Sequence, residues 1–331
     1  MSIAIDAMGG DHAPKEVVLG ALEAVPLLRH DLILVGDPSQ IEEHLPRPCP
    51  TRISIHPASE VVEMDEKPTH ALRTKKDSSL VVSVNLVKEG RAQAFLSAGN
   101  TGACTAAALL GWRQIPGIHR PAIASLMPNK KDGFLLLDAG ASPDVDPEHL
   151  VEFAFMGRAY AQQVLGRREP KVQLLNIGEE DSKGNAFAKK TFKLLSQYPW
   201  FAGNIEGKDL FRTDTDVVVC DAFVGNIVLK TSEGVAEFII NTIRDRLPTN
   251  QLARLAYLPM KSLMAPLRKK MDYAEIGGSP LLGVNGLCII CHGRSNAKAI
   301  KNAILLAQAA IEGNLVSTIR QSVDANLIQT S

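Results

Sequence analysis

Aromatic side chains are scarce: Phe, Trp and Tyr make up 5% of the 331 residues. A core must then come from Leu, Ile, Val and Ala, which the 45% apolar content allows. There is no excess of either charge, with 36 Lys and Arg against 36 Asp and Glu. That argues against the basic footprint of a nucleic-acid binder, and no nucleic-acid partner is expected. Cysteine is sparse and odd in number: Cys49, Cys104, Cys220, Cys288 and Cys291. This argues against a disulfide framework and for a reducing cytoplasm. No apolar run approaches the roughly 20 residues of a spanning helix. The start, MSIAIDAMGG, lacks the basic and long apolar regions of a signal peptide. A cytoplasmic protein, at most held peripherally at a membrane surface, is expected.

Several motifs are also missing. There is no G-x-G-x-x-G fingerprint, no P-loop, no G-x-S-x-G elbow and no H-E-x-x-H. Covalent catalysis and metal-assisted hydrolysis lose ground, and neither metal nor cofactor is expected.

What is present is an alternation. β-rich runs begin at Ser2, Leu32, Arg52, Ala94, Phe134, Val172, Asp216 and Leu287, several of them apolar throughout. Helical patterns lie between them: 15–28, 78–89, 101–110, 147–165, 186–196, 227–246 and 296–311. This predicts an α/β fold with a largely parallel sheet. No repeat or low-complexity linker divides the chain, so 1–331 reads as a single two-lobed unit. One segment differs. Residues 251–271 carry Arg254, Lys261, Arg268, Lys269 and Lys270 with no acidic residue, and Pro259 and Pro266 interrupt the pattern. A helical arm over 247–275 is expected to project from the body.

Ligands of open α/β sheets bind at the carboxyl ends of strands. Six loops there combine Gly with short polar residues: DAMGGDHAP from Asp6, SAGNTGA from Ser97, DAGASPDVDP from Asp138, NIGEEDSKGN from Asn176, DAFVGN from Asp221 and HGRSN from His292. Together they suggest one extended polar cleft. SAGNTGA is the clearest anion candidate. Gly99 and Gly102 free the backbone, Asn100 or Thr101 caps a helix, and the helix N-terminus favours negative charge. An ordinary βα turn would look the same. His12 is either a proton donor or a solvated side chain, and Lys75 and Lys183 are either phosphate partners or solvated charges. Glu179 and Glu180 are adjacent, so at most one of them enters a cleft. Cys288 and Cys291 form C-x-x-C within a strand pattern, where residues three apart face opposite ways, so a metal or redox site is not expected. Cys104 reads as packing, although a helix N-terminus can activate a thiol.

Taken together, IDAMGGDHAP, SAGNTGA, GIHRPAI, LLNIGEEDSKGN, GNIEGKDL, DVVVCDAFVGN and GGSPLLGVNG resemble the bacterial phosphate acyltransferase family, acyl-carrier-protein:phosphate transacylases of phospholipid synthesis. The resemblance runs in order from Ile3 to about Ile311. It implies a three-layer α/β/α fold like that of the isocitrate and isopropylmalate dehydrogenases and the phosphotransacetylases, and a homodimer. It also implies acyl transfer from acyl carrier protein to inorganic phosphate, feeding a membrane acyltransferase that acylates glycerol 3-phosphate. Ala139, Ser142, Ala222 and Arg294 depart from the family pattern, where Leu, Asn, Gly and a smaller residue are usual.

Such chemistry needs placement more than a nucleophile. The expected roles follow. Backbone amides of Gly9, Gly10, Asn100, Thr101 and Gly102 bind the anion, beside Asp6, Asp11, Ser97 and Gly99. Lys75 or Lys183 neutralises it. His12 or His292 assists proton transfer at sulfur. Asn176, Gly178, Glu179, Asp221 and Asn226 order the opposite wall. The basic arm serves dimer, membrane or carrier-protein contact. Rival readings are a phosphotransacetylase-like enzyme using acyl-CoA and a non-catalytic scaffold for carrier protein or membrane.

Overall fold

The computed structural model describes residues 1–245 and 273–327. Arg254, Lys261, Arg268, Lys269, Lys270 and most of the expected arm lie outside the described residues. The strands are β1 (Ser2–Asp6), β2 (Asp31–Gly36), β3 (Ile53–Pro57), β4 (Ala94–Ser97), β5 (Ala122–Met127), β6 (Phe134–Leu137), β7 (Val172–Asn176), β8 (Phe201–Glu206), β9 (Val217–Val219), β10 (Gly278–Leu282) and β11 (Leu287–Cys291). They form one eleven-stranded sheet in the order β3-β2-β1-β4-β11-β10-β5-β6-β9-β7-β8. The pairing is parallel on both flanks. At the centre, β10 is antiparallel to β11 and β5, and β5 is antiparallel to β6.

The helices are α1 (Lys15–Ala24), α2 (Pro38–Glu42), α3 (Pro68–Thr74), α4 (Ser79–Lys88), α5 (Thr101–Trp112), α6 (Pro147–Gln163), α7 (Ala186–Leu195) and α8 (Ala222–Asp245), followed by Tyr273–Ile276, Ala297–Glu312 and Leu315–Leu327. Helix α1, helix α6 and the last two helices cover one face, packing on Ile3, Ile5, Leu96 and Leu137. Helices α4 and α5 cover the other, on Phe95, Ile123, Cys288 and Ile290, and α8 continues that layer over Met127, Leu136 and Val218. The result is the expected three-layer α/β/α arrangement. Strand alternation explains the division: Cys288 faces the α5 side and Cys291 the α1 side, as expected of residues three apart on a strand.

Three strands were not expected: β5, β8 and β10. Strand β10 reads GSPLL, with a Gly and a Pro that disfavour a central strand. Its ladder to β5 pairs only Leu281 with Ile123 and Leu282 with Ala122. Past Pro280, which has no N–H to give, the strands are joined by the hydroxyls of Ser125 and Ser279, 3.0 Å apart. Among the described residues, no helix is long and apolar enough to cross a membrane.

Candidate active site

Register brings the strand ends together. Ser97 pairs with Ile290, and Ile290 with Ser279, so these three lie in one row across β4, β11 and β10. Asp6 ends β1 beside Ser97. Ser97 Oγ donates to Asp6 Oδ2 at 2.7 Å and accepts the Gly99 N–H at 2.9 Å. Asp6 is fully enclosed. Burial pushes its pKa up, while hydrogen bonds from Ser79, Ser97, Met8 and Gly9 pull it back. Gly9 packs against this carboxylate, where a Cβ would come within 2.5 Å of Oδ2. Gly10 has φ +110°, a conformation that side chains resist, and the Asp11 N–H donates to Gly293 O at 2.8 Å. DAMGGDHAP, SAGNTGA and HGRSN therefore form one stitched end of the sheet.

Asn100 caps α5. Its Oδ1 accepts the Ala103 N–H at 3.0 Å, and its Nδ2 donates to the carbonyls of Met64 and Glu66. Thr101 and Gly102 follow, exposed, in the first helical turn. Lys75 holds the same loop from below: its Nζ donates to Val61 O and Glu66 Oε1, both at 2.6 Å. That contact lowers the Glu66 pKa. The Lys75 charge is thus met by Glu66, so its effect on a ligand passes through the loop. His12 is exposed at the entrance to α1.

A second stitched group lies at the end of β6. Asp138 is fully buried and accepts four backbone N–H groups, from Ile123, Gly140, Ala141 and Ser142, at 2.8–2.9 Å. Burial raises its pKa against those four donors. Ser142 Oγ donates to Pro121 O at 2.8 Å, so the Ser at this departure position ties the loop to GIHRPAI. Gly225 packs directly on the Asp138 carbonyl, leaving no room for a Cβ. Asp221 Oδ1 accepts the Val224 N–H at 2.9 Å in the first turn of α8, and Asn226 approaches Gly140.

Between the two groups, on the α5 and α8 face, lies a cavity of about 1110 Å³. Its floor is Ile123, Ser125 and Met127 of β5 with Ser279 and Ile290. Thr101, Gly140, Asn226 and His292 reach it from four of the six predicted loops. Helix α8 forms a wall from Asn226 to Ala236, and Lys130 and Lys230 stand at the lining. The walls are chiefly apolar. His292 is half-buried, and its pKa is lowered first by burial and then by Lys230 and Arg294, against Glu233 and Asp11. Its Nδ1 accepts the Arg294 N–H at 3.3 Å, which leaves the proton of the neutral ring on Nε2.

The single cleft expected from six loops is therefore divided. Asn176, Gly178, Glu179 and Lys183 do not line this cavity. Asn176 donates to Asn204 Oδ1 at 3.1 Å, Lys183 pairs with Glu180 at 3.9 Å, and Glu179 lines a smaller polar pocket with Asp181 and Arg212. Strand β7 lies two places beyond β6 in the sheet, so its loop is carried away from the central strands. Sequence reasoning also missed Ser125, Ser279, Lys130 and Lys230. The alternation Ile123, Ser125, Met127 was the available signal for the floor. Cys104 is buried and its thiol is pushed up to about 12 by that burial, which leaves it a packing residue. His119, His149 and Glu152 come within 4.8 Å of one another, a grouping absent from the motif reading. Three of their polar atoms are already engaged: His119 Nδ1 and Glu152 Oε1 lie 2.6 Å apart, and His149 Nδ1 accepts the Asp146 N–H.

A family model described as fatty acid synthesis protein matches residues 1–318. The phosphate acyltransferase of Desulfitobacterium hafniense is 51% identical over 326 residues, covering 98% of this chain and 98% of that one. Among solved structures, a phosphotransacetylase from Streptococcus pyogenes matches with a TM-score of 0.61 at 18% identity, covering 94% of each chain. A branched-chain phosphotransacylase from Enterococcus faecalis matches with a TM-score of 0.60 at 15% identity, covering 94% of this chain and 99% of that one. The two structures show a shared fold. The full-length match to the family model and a relative identical at half its positions show more: the chain belongs to the phosphate acyltransferase family, and it is an acyltransferase.

Proposed function

We propose that the chain transfers a long-chain acyl group from the thioester of acyl carrier protein to inorganic phosphate, giving acyl phosphate and the free carrier thiol. The observation that carries this reading is the central cavity, a large apolar space into which Thr101, Ser125, Ser279 and His292 bring polar groups near the ends of β4 and β11. An acyl donor needs the apolar space, and an anionic acceptor needs the polar groups.

Phosphate near neutral pH is largely dianionic, so it needs little help from a base. One phosphate oxygen attacks the thioester carbonyl carbon. The C–O bond forms, the C–S bond breaks, and the electron pair leaves on sulfur, a thiol of pKa about 8.5 that departs readily. The hydroxyl of Thr101 and the opening turn of α5 suit the phosphate. Lys130 and Lys230 bring positive charge to the lining, that of Lys230 shared with the Glu233 carboxylate at 2.9 Å. Neutral His292, with its proton on Nε2, is suited to donate a hydrogen bond to the departing sulfur, which leaves as a thiolate and takes its proton from solvent. Cys104, Cys220, Cys288 and Cys291 are all held as thiols by burial, which favours direct attack by phosphate over an acylated cysteine.

Further proposals accompany this one. The exposed apolar side chains of α8, among them Phe223 at 66% and Phe238 at 70%, support a homodimer. The basic residues Arg254, Lys261, Arg268, Lys269 and Lys270 support contact with an acidic carrier protein or a membrane surface. Acyl phosphate, a reactive anhydride, would then pass to a membrane acyltransferase acting on glycerol 3-phosphate.

The test is thiol release from palmitoyl-carrier protein and, in parallel, palmitoyl-CoA, with and without phosphate, trapping acyl phosphate with hydroxylamine. Phosphate-dependent release supports the reading, and the preferred donor decides between carrier protein and CoA. Release that ignores phosphate would mean a thioesterase and sink it. The double variant R268E/K270E should raise the KM for carrier protein or weaken membrane attachment. If both stay unchanged, the arm has neither contact.

A further inference from the structure

The central cavity contains an oddity that acyl transfer alone does not explain. Two hydroxyls, Ser125 and Ser279, meet on its floor at 3.0 Å, while Ile123, Met127, Ile290 and Leu229 surround them with hydrocarbon. Burying hydroxyls in apolar surroundings is unfavourable unless their hydrogen bonds are met. Each hydroxyl has one proton to give. Within the pair one donates and the other accepts, so the acceptor keeps its own O–H for a third partner. Both side chains line the cavity, so the third partner is an accepting atom within it, a water or a ligand atom that displaces that water.

The cavity limits what that ligand is. Its volume, about 1110 Å³, stands just above the roughly 300–1,000 Å³ typical of small-molecule sites. A phosphate alone would leave most of it empty. The apolar lining joins two packed clusters: Ile123 and Ile290 belong to the one under α5, Met127 and Leu210 to the one under α8. Leu229 of α8 packs against both. A long, flexible, unbranched hydrocarbon fits such a continuous lining. The hydroxyl pair lies next to the point where Gly278 pairs with Cys291, the residue before His292. An acceptor atom near the head of the chain would meet the pair there.

We propose that this cavity is the acyl-chain site, and that the Ser125–Ser279 pair donates one hydrogen bond to the acyl carbonyl oxygen. The chain lies along the lining past Leu229. The pair then polarises the carbonyl that the nucleophile attacks, and strengthens its hold as charge gathers on that oxygen. This inference rests on the acyl-transfer reading, and its test separates the two.

The test has a binding arm and a kinetic arm, both on the full chain. In the first, decanoate, laurate, myristate and palmitate displace a fluorescent polyene fatty acid. Affinity should rise about fourfold per added methylene until the cavity is full, then level off. L229W, which fills the junction between the clusters from the helix side, should move the levelling to a shorter chain. In the kinetic arm, S125A/S279A removes both hydroxyls together and leaves no orphaned one. It should lower kcat for acyl phosphate formation about tenfold or more with little change in the KM for phosphate. A far-ultraviolet spectrum and melting curve like the parent's show that each variant folds.

Affinity that ignores chain length, or a levelling point that L229W leaves in place, would overturn the cavity as the chain site. An S125A/S279A enzyme with parental kcat would overturn the role of the pair. If acyl phosphate still forms in either case, the proposed function stands and this inference alone falls. If no thioester yields acyl phosphate while L229W still shifts the chain-length limit, the chain site stands and the proposed reaction falls.

Discussion

Asp6 and Asp138 are both fully buried carboxylates at the ends of sheet strands, yet they are held in different ways. Asp138 is gripped by four backbone N–H groups, which only donate. Asp6 is held partly by the hydroxyls of Ser79 and Ser97, which donate or accept as needed. The first arrangement fixes one chemical group and one loop shape. The second tolerates a change of partner. Two carboxylates with the same sequence signature, an Asp closing an apolar strand before a Gly loop, are thus unequal: one is a rigid post beneath the α8 wall, the other an adjustable support beneath the α5 cap.

The comparison breaks hardest at the post. In G225A the new methyl meets the Asp138 carbonyl and, at 3.0 Å, Cys220 Sγ. Backbone cannot move aside as a side-chain tip can, so the variant should lose about 3 kcal/mol or more, read as a lowered urea midpoint. D138N comes next. Its amide keeps one acceptor oxygen but turns an N–H₂ toward a donor, the Ser142 N–H if the oxygen keeps its other partners. A loss of about 2–3 kcal/mol is expected, with release of the 138–142 loop. A parental melting curve for D138N would show that the four-donor grip is dispensable.

D6N should cost less, about 1 kcal/mol, because Ser97 can accept from the new amide. It also carries a pH signature. Burial raises the Asp6 pKa above 3.8 in the folded protein. Between the unfolded value and the raised one, the folded state keeps a proton that the unfolded chain has lost, so stability falls as pH rises through that window. Asn has no such proton. The deficit of D6N relative to the parent should therefore shrink from about pH 4 upward. A deficit that grew with pH would mean that hydrogen bonds outweigh burial at Asp6.

The sequence and the structure agree where one stretch of chain carries the whole signal. The runs of β1, β4, β6 and β11 announce buried strands, and Asn100 announces a cap. The place of Thr101, Asn226 and His292 at the cavity was legible because glycine loops mark strand ends. Strands β5 and β10 at the centre of the sheet, and β8 at its edge, were not legible. Strand β5 interrupts its apolar run with Ser125, and β10 contains Pro280, beyond which its ladder to β5 stops. The serine pair was hidden for another reason: its members stand 154 residues apart, and a lone Ser in a strand is unremarkable. Lys75 shows the opposite error. Its charge was visible, but not the Glu66 carboxylate that meets it.

His292 sharpens the comparison with the smallest effect, since it is only half-buried and its neighbours are charged. Its pKa lies below 6.5, so it is neutral at pH 7, and any loss of activity on its protonation should appear below about pH 6.5. Burial is the larger cause, and Lys230 adds to it. K230A removes that cation and also frees Glu233, whose carboxylate Lys230 holds at 2.9 Å. Both changes favour the charged imidazole, so the acid limb of the kcat profile should move up toward pH 6.5. E233Q should move it the other way. The position of the limb is the measurement, because either variant can alter the rate through other contacts. Opposite shifts from the two variants would show that α8 tunes the ring electrostatically. Equal shifts in one direction would mean that both act by opening the cavity to water, which leaves burial as the sole cause of the lowered pKa.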